Sequence, residues 1–415
     1  MIFYRNQTPS NLNKEQNSNV STRIQIFLTL FATFYSLHLF GNFFVSELIF
    51  ISIFMRGLFK GELTSAAKLV QPFVGILVLA IFGEILVDLW HGSSVISSLK
   101  GFSLILFTLI NLFALIILTK FDPVNIHIAI FGFAASGLAS FFIQPGTYAR
   151  SEIWKFGIGY PLILMVFCLL SLRKIRLKKF VIVSLIIFLS VLSLFLGARS
   201  LALVTFLTVF FVRNEVNVKK GKFSYSVIVI LLLLGAVGLF SNAYSSLAKN
   251  GTLGDKAQAK YISQTATGNN IIINSRSELL FAGRAIVDSP ILGFGSYSEM
   301  NPNLRTKILT FLTENNIYYD LAPINRTYGN RIPVHSMILQ WWLWFGILGL
   351  LFPLKLLINF IKAISIIGEP VLYYYLVISG IWNVLFSPYG EAGRILVPLT
   401  IIAVNSRRKT MLPQE

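Results

Sequence analysis

Cysteine is nearly absent. A lone Cys168 in 415 residues can close no internal disulfide, and no thiolate or metal-ligand cluster surrounds it, which excludes structural disulfides, thiol redox work and a zinc centre. There is no G-x-G-x-x-G and no Walker sequence, so nothing points to dinucleotide or nucleotide binding. No repeat of soluble-array period is present. Charge is scarce too. Only 13% of residues are charged, against 55% hydrophobic and 14% aromatic, a balance that the surface of a soluble protein cannot accommodate. Acidic residues are the scarcest charge, 17 against 35 basic. The resulting +18 reflects membrane topology and attraction to anionic lipid rather than a nucleic-acid footprint, and no nucleic-acid partner is expected.

What is present is a train of apolar segments, each about long enough to cross a hydrocarbon core of ~30 Å as a helix. No β-barrel alternation competes. The expected fold is an all-α polytopic membrane protein with about twelve transmembrane helices and one large periplasmic loop containing short helices. Spans are expected near 24–38, 41–57, 69–90, 101–119, 126–143, 156–172, 180–197, 200–212, 225–241, 336–360, 370–387 and 392–405. Counted this way, the basic breaks fall on one face. These are the N-terminus with Arg5, Lys14 and Arg23; Arg56, Lys60 and Lys68; the Arg173–Lys179 run; Arg213 with Lys219, Lys220 and Lys222; Lys355 and Lys362; and Arg407 to Lys409. By the positive-inside rule both termini are cytoplasmic. The layout is then a disordered cytoplasmic lead over 1–22, with no signal-peptide cleavage pattern, spans one to nine over 23–241, an outer loop over 242–335, spans ten to twelve over 336–405, and a cytoplasmic tail over 406–415.

The outer loop, opening at about Ser241, is the one long polar interruption. Its nine basic residues outnumber its six acidic ones, an excess that runs against the topology bias on an outward segment. Within it, Ser275–Asp288 reads as a helix. Ser275 and Glu278 have capping-box spacing, an apolar face runs through Leu279, Leu280, Ala282, Ile286 and Val287, and Asp288-Ser-Pro290 stops it. Arg276 then sits in the first turn, where the macrodipole disfavours a cation by about 0.3–1 kcal/mol but where backbone amides and a guanidinium together hold phosphate. An exposed Arg paired with Glu278 is the plainer alternative. Two other positions repeat the arrangement: Arg199, in the break Gly197-Ala-Arg-Ser200 with Ser200 as the expected cap, and His335, after Pro333 at the start of span ten. Membrane-interface anchoring is the alternative for both.

Three segments carry a resemblance. They are Leu196-Gly-Ala-Arg-Ser-Leu-Ala; Ser275-Arg-Ser-Glu-Leu-Leu with Asp288-Ser-Pro-Ile-Leu-Gly-Phe-Gly295; and Val334-His-Ser-Met-Ile-Leu-Gln with Phe345-Gly-Ile-Leu-Gly-Leu350. In order and placement they resemble the signatures of the O-antigen ligase and polymerase superfamily of membrane glycosyltransferases. Ser336 stands where that family often has Asn, and Leu279, Leu280 and Phe281 where it often has Trp. The resemblance implies a bacterial inner-membrane enzyme with a periplasmic active site containing Arg199, Arg276 and His335, with Arg284 as the alternative loop arginine. It implies a polyprenyl-diphosphate-linked oligosaccharide donor, for instance on undecaprenyl diphosphate. The acceptor would be a glycan in a polymerase or the lipid A core of lipopolysaccharide in a ligase, and a chain-length regulator is an expected partner alongside membrane lipids.

The chemistry suits those residues. Negative charge grows on the diphosphate as the glycosidic bond breaks, and Arg199, Arg276 and Arg284 are the candidates to hold it. A His at a helix N-terminus is biased toward the neutral imidazole that accepts an acceptor hydroxyl's proton, which makes His335 the candidate base and Glu278 its alternative. The loop has no D-x-D pair, so metal-independent transfer without a cofactor is expected. His38, His91, Arg150 and Arg394 are weaker outward candidates. Glu84 is the one intramembrane carboxylate that would ordinarily be called functional, and since it lies about a turn from Asp88 near the outer surface, a solvated groove for the lipid substrate is the alternative explanation. Polymerase is preferred over ligase. A transporter or flippase of lipid-linked glycans is the reading from another class, with the polar mass in one loop counting against it.

Overall fold

Several of the apolar runs form helices whose start is marked by a capping side chain or a proline. The structure, a computed structural model, describes residues 9–38, 42–172, 177–212, 235, 238–266, 277–317, 319, 321, 325, 328–364 and 370–411. Helix α1 (Pro9–Phe31) is followed by one 3₁₀ turn, then by strands β1 (Ser36–His38) and β2 (Asn42–Phe44). Helices α2 (Val45–Phe59), α3 (Glu62–His91), α4 (Val95–Thr119), α5 (Pro123–Ile143) and the short α6 (Thr147–Ser151) come next. A π-helical turn, Ile153–Ile158, leads into α7 (Gly159–Leu170), α8 (Lys179–Phe195) and α9 (Arg199–Val212). The polar loop holds a helical stretch over 238–249 and α10 (Asp255–Thr265), α11 (Ser277–Asp288) and α12 (Pro302–Glu314). The chain closes with α13 (Met337–Ile364), α14 (Val371–Phe386) and α15 (Gly393–Met411).

The architecture is predominantly α-helical. Five helical segments are long and apolar enough to cross a membrane: Val70–His91, Val95–Thr119, Pro123–Ile143, Ile153–Leu170 and Met337–Ile364. Val20–Phe34, Lys179–Phe195, Arg199–Val212, Val371–Phe386 and Gly393–Ser406 are shorter apolar helices. The second expected span coincides with α2, and the ninth, 225–241, lies mostly outside the described residues. Helix starts follow local chemistry. Asp122 accepts from the amides of Val124 (2.6 Å) and Asn125 (3.3 Å) ahead of Pro123, and Asn301 accepts from Leu304 N (2.8 Å) ahead of Pro302.

Two expectations change at the N-terminal end. Helix α1 begins at Pro9, inside the lead expected to be disordered. The first span, expected to run to residue 38, ends in a two-stranded antiparallel hairpin, so the chain is not wholly helical. The stretch around Tyr35, Phe43 and Phe44 is aromatic and suits strands better than a helix. Gln144 Oε1 fixes β1 by accepting from Ser36 N and Ser36 Oγ, both at 3.1 Å.

The breaks between helices gather at two ends. At one end, Ser296 N donates to Asp88 Oδ1 (2.7 Å), Arg394 Nη2 to the Asn42 carbonyl (2.7 Å) and Arg199 Nη1 to Gln264 Oε1 (3.4 Å), so the hairpin, the α3–α4 turn, the polar loop and the α14–α15 turn meet. At the opposite end, Ser406 Oγ donates to the Phe121 carbonyl (2.7 Å) and Leu372 N to Ser171 Oγ (3.1 Å).

Helix α13 is broken at Gly346 (φ 62°, ψ −161°). The segment after α11 fills the break. Phe294 N donates to the Leu343 carbonyl (2.6 Å), and Ile347 N donates to the Ile291 carbonyl (2.9 Å). Those two helix groups would otherwise bond each other, and an apolar surround leaves no water to replace the lost bond. Trp342 Nε1 adds a bond to the Pro290 carbonyl at 2.6 Å. The fit requires glycine on both partners. A Cβ on Gly293 (φ +69°) would stand 2.6 Å from the Trp342 carbonyl, and one on Gly346 would stand 2.6 Å from the Ile291 carbonyl. Gly293→Ala is expected to destabilise the protein by about 1–3 kcal/mol, since only backbone movement relieves the clash. Thermal unfolding of the purified chain checks this, and an unchanged midpoint would show that the docking is soft.

Candidate functional site

Arg199 opens α9. Gly197 (φ +78°) ends the preceding helix, and the Ala198 carbonyl accepts from Ala202 N at 2.9 Å. Ser200, expected to cap α9, is therefore already inside it. The half-buried guanidinium lies 4.7 Å from the centre of the buried Tyr244 ring and donates to Gln264 on α10. A break between two apolar helices is thus joined to the polar loop.

Further charges share its surroundings. Lys260 on α10 is pushed down from its ordinary 10.5 to about 8, first by burial of its ammonium end, then by Arg199 and Lys155, with Glu152 and Glu278 acting in the opposite sense. The residue as a whole keeps an exposed flank, so solvent tempers that field. Lys155 is paired with Glu152 at 2.8 Å. Burial pushes the Glu152 carboxyl up, but Lys155, Lys260 and Lys256 outweigh it and hold it below the usual range. Four cations, Arg199, Lys260, Lys155 and Lys256, therefore share these surroundings with two carboxylates, Glu152 and Glu278.

Helix α11 opens at Ser277, and the expected Ser275 cap and Arg276 lie outside the described residues. Its buried face is Ser277, Phe281, Ala282, Ala285 and Ile286, while Val287, expected on the apolar face, is exposed. Glu278 is half-buried in the first turn. Arg284 is engaged elsewhere. It is paired with Asp288 at 2.8 Å, and Asp288 also pairs with Lys307 at 3.2 Å, an arrangement that fastens α11 to α12. Those two cations hold the Asp288 carboxyl below the usual range. His335 is half-buried in the extended stretch just before α13, whose Leu339 amide donates to Ser336 Oγ at 3.4 Å.

A cavity of about 510 Å³ lies between the hairpin, α4, the polar loop, α13 and the α14–α15 turn, and Val334, next to His335, is part of its wall. Its charged lining is Lys100, Arg331, Glu391 and Arg394. Tyr328 connects this cavity to the Arg199 cluster. Its hydroxyl donates to the Val334 carbonyl (2.9 Å), and it is pushed well up by burial and then by Glu278, the same carboxylate that acts on Lys260. Glu391 accepts from Asn42 Nδ2, and burial raises its carboxyl despite that bond and the nearby Arg394.

Arg394, a weak outward candidate by sequence, is a buried structural group. Its Nη2 lies 2.9 Å from Glu47 Oε2, with the two side chains 5% and 0% exposed. Asn111 Nδ2 completes the network by donating to Glu47 Oε1 (3.2 Å) and to the Arg394 carbonyl (3.0 Å). Glu84 and Asp88 are also buried, and Asp88 accepts from Ser93 Oγ and Ser296 N, which seats the segment after α11 on α3. His38 bonds Asn42 (2.5 Å) and His91 stacks on Phe294, contacts that serve the loops around them.

Sequence reasoning missed Lys100, Lys260, Tyr297 and Glu391 as site residues. A signal existed for Lys100, a cation in a break expected to face outward. Among the described residues no group of three or more His, Cys, Asp or Glu side chains gathers as a metal site. No family model, curated protein or solved structure matches this chain.

Proposed function

We propose that the chain is a membrane glycosyltransferase that moves a glycan from a polyprenyl-diphosphate carrier to a sugar hydroxyl at the outer face of a bacterial inner membrane, with both termini cytoplasmic. Polymerisation of a surface polysaccharide is the preferred form, and ligation to the lipid A core uses the same chemistry. One observation carries the reading: Arg199 at a helix start lies near Lys260 and Lys155, and the Lys260 ammonium is pushed below its ordinary range first by burial and then by those two cations. Such a cluster is costly without a ligand and favourable around a diphosphate.

In the reaction, the bond from the anomeric carbon to the diphosphate oxygen breaks and its electron pair goes to the diphosphate, where Arg199, Lys260 and Arg276 oppose the growing charge. The acceptor oxygen forms the new bond to the anomeric carbon. His335 takes its proton. Arg284 supports α11 through Asp288 rather than meeting substrate. A transporter would leave the carbonyls of a broken span free for its cargo, whereas the break in α13 is filled by Phe294 and Ile291.

The test is transfer by the full chain in proteoliposomes supplied with a labelled polyprenyl-diphosphate oligosaccharide. Chain growth is expected, with or without chelator, and should weaken as pH rises through about 8 because Lys260 loses its proton there. The sign for folding is opposite. Between about 8 and 10.5 the unfolded chain holds the lysine proton more tightly, so the folded protein gains stability as pH rises while its grip on the anion falls. Lys260→Arg should flatten the activity profile. Flipping of the lipid without growth would overturn the reading in favour of transport.

A further inference from the structure

The cavity beside Val334 has an electrostatic surplus that the transfer chemistry leaves unused. Arg394 is neutralised by Glu47, and Glu391, hydrogen-bonded to the neutral amide of Asn42, offsets at most one of the two remaining cations. Lys100 and Arg331 have no carboxylate within ion-pair distance among the described residues. Both stand over the same ring, Tyr297, at 5.9 and 5.7 Å from its centre. Two like charges drawn to one aromatic side chain repel each other, and an anion between them would remove the cost.

Tyr297 is itself exceptional. It is a non-glycine residue in the left-handed region, φ +53°, a conformation that persists only where the surroundings impose it. Those surroundings are visible. The preceding amide is held by Asp88, Ile332 N donates to the Ser298 carbonyl (3.1 Å), and the Tyr297 ring lies 4.3 Å from that of Trp344. The strain presents an aromatic pair to the cavity. Ser298 belongs to the same lining, and its buried hydroxyl has no hydrogen-bond partner among the described residues.

We propose that this cavity binds a sugar unit bearing a carboxylate, with Lys100 and Arg331 on the anionic group, the Tyr297–Trp344 pair against the sugar ring, and Ser298, Asn42 and Gln340 within the lining that serves its hydroxyls. A bare inorganic anion would leave the aromatic pair idle, and an acyl chain would strand two cations in apolar contact. The volume of about 510 Å³ suits a ligand of this size. As a statement about binding it stands apart from turnover; resting on the glycosyl-transfer reading, it makes the cavity the acceptor subsite and the acceptor an acidic glycan.

The experiment is calorimetric titration of the full chain in lipid nanodiscs with trigalacturonate, uncharged galactotriose and inorganic phosphate. Trigalacturonate should bind at least about tenfold more tightly than galactotriose, the share expected of a charge-assisted contact, and the preference should shrink with added salt. Lys100→Gln combined with Arg331→Gln should abolish the preference. Tyr297→Gly, whose backbone accepts the positive φ without strain, should keep the fold and lose both sugars. Equal affinity for the charged and neutral trisaccharides would overturn the proposal, as would phosphate competing as well as trigalacturonate or a preference that survives loss of both cations. Uronate binding without any glycan transfer would instead remove the transferase reading and leave the cavity's assignment standing.

Discussion

Arg199→Ala is expected to lower glycan transfer by about 10²–10³-fold, the scale measured when one fixed donor is removed from a developing anion. The amount of folded protein in the membrane should be unchanged. The basis is the position of the guanidinium, at the start of α9 and set by the Tyr244 ring and by Gln264, so that its charge is oriented before substrate arrives. Removing it deletes the contact on Tyr244, worth about 0.5–1 kcal/mol, and the long 3.4 Å bond to Gln264, a small loss that separates a catalytic defect from unfolding. Arg199→Lys should recover only part of the activity, because a lysine keeps the charge and loses the bidentate fork. Arg276→Ala and His335→Ala are expected to abolish product in the same assay with the chain still inserted. Membrane fractions assayed with a labelled donor decide the matter, and full turnover in Arg199→Ala would remove this residue from the mechanism.

Arg394→Ala should be the most destabilising single change, costing about 3–5 kcal/mol, because it leaves the carboxylate of Glu47 buried and unpaired. Both members of the pair are almost wholly shielded and share Asn111 as a neighbour, so no solvent compensates the survivor. The double change Arg394→Met with Glu47→Leu should recover much of the loss, since apolar groups of similar volume need no counter-charge. Unfolding midpoints of the two single variants and the double variant in detergent form the cycle. A mild effect of Arg394→Ala would mean that water reaches the pair. This outcome also tells structural from functional cations at the same end of the molecule: Arg394 holds the hairpin to α15, whereas Lys100 and Arg331 have no such partner among the described residues.

Much of the helical layout is legible because it rests on local causes. Runs such as Val95–Thr119 and Pro123–Ile143 are apolar for the full length of a helix, and Ser94 and Asp122 mark their starts with side-chain bonds to the first amides, as Asn301 does for α12. The hairpin after α1 is hidden in the sequence because its two strands fall in the ends of two expected spans, 24–38 and 41–57, and β1 is fixed by Gln144, far along the chain. Gly346 reads as a packing glycine until Ile291 and Phe294 are seen replacing the bond it breaks. Arg284 and Arg199 are equivalent by type, and only the structure shows Asp288 beside the first and Gln264 with the Tyr244 ring beside the second.

By itself the sequence determined that this chain is rich in apolar helices, where several of them start, and that the excess basic charge of the polar loop needs an explanation, because hydropathy and capping act over a few residues. The tertiary structure alone decided which cations meet and which are already paired. Lys100, Tyr297, Arg331 and Glu391 come from separate breaks, and their shared cavity follows from how the helices pack, an arrangement of distances that no local pattern encodes.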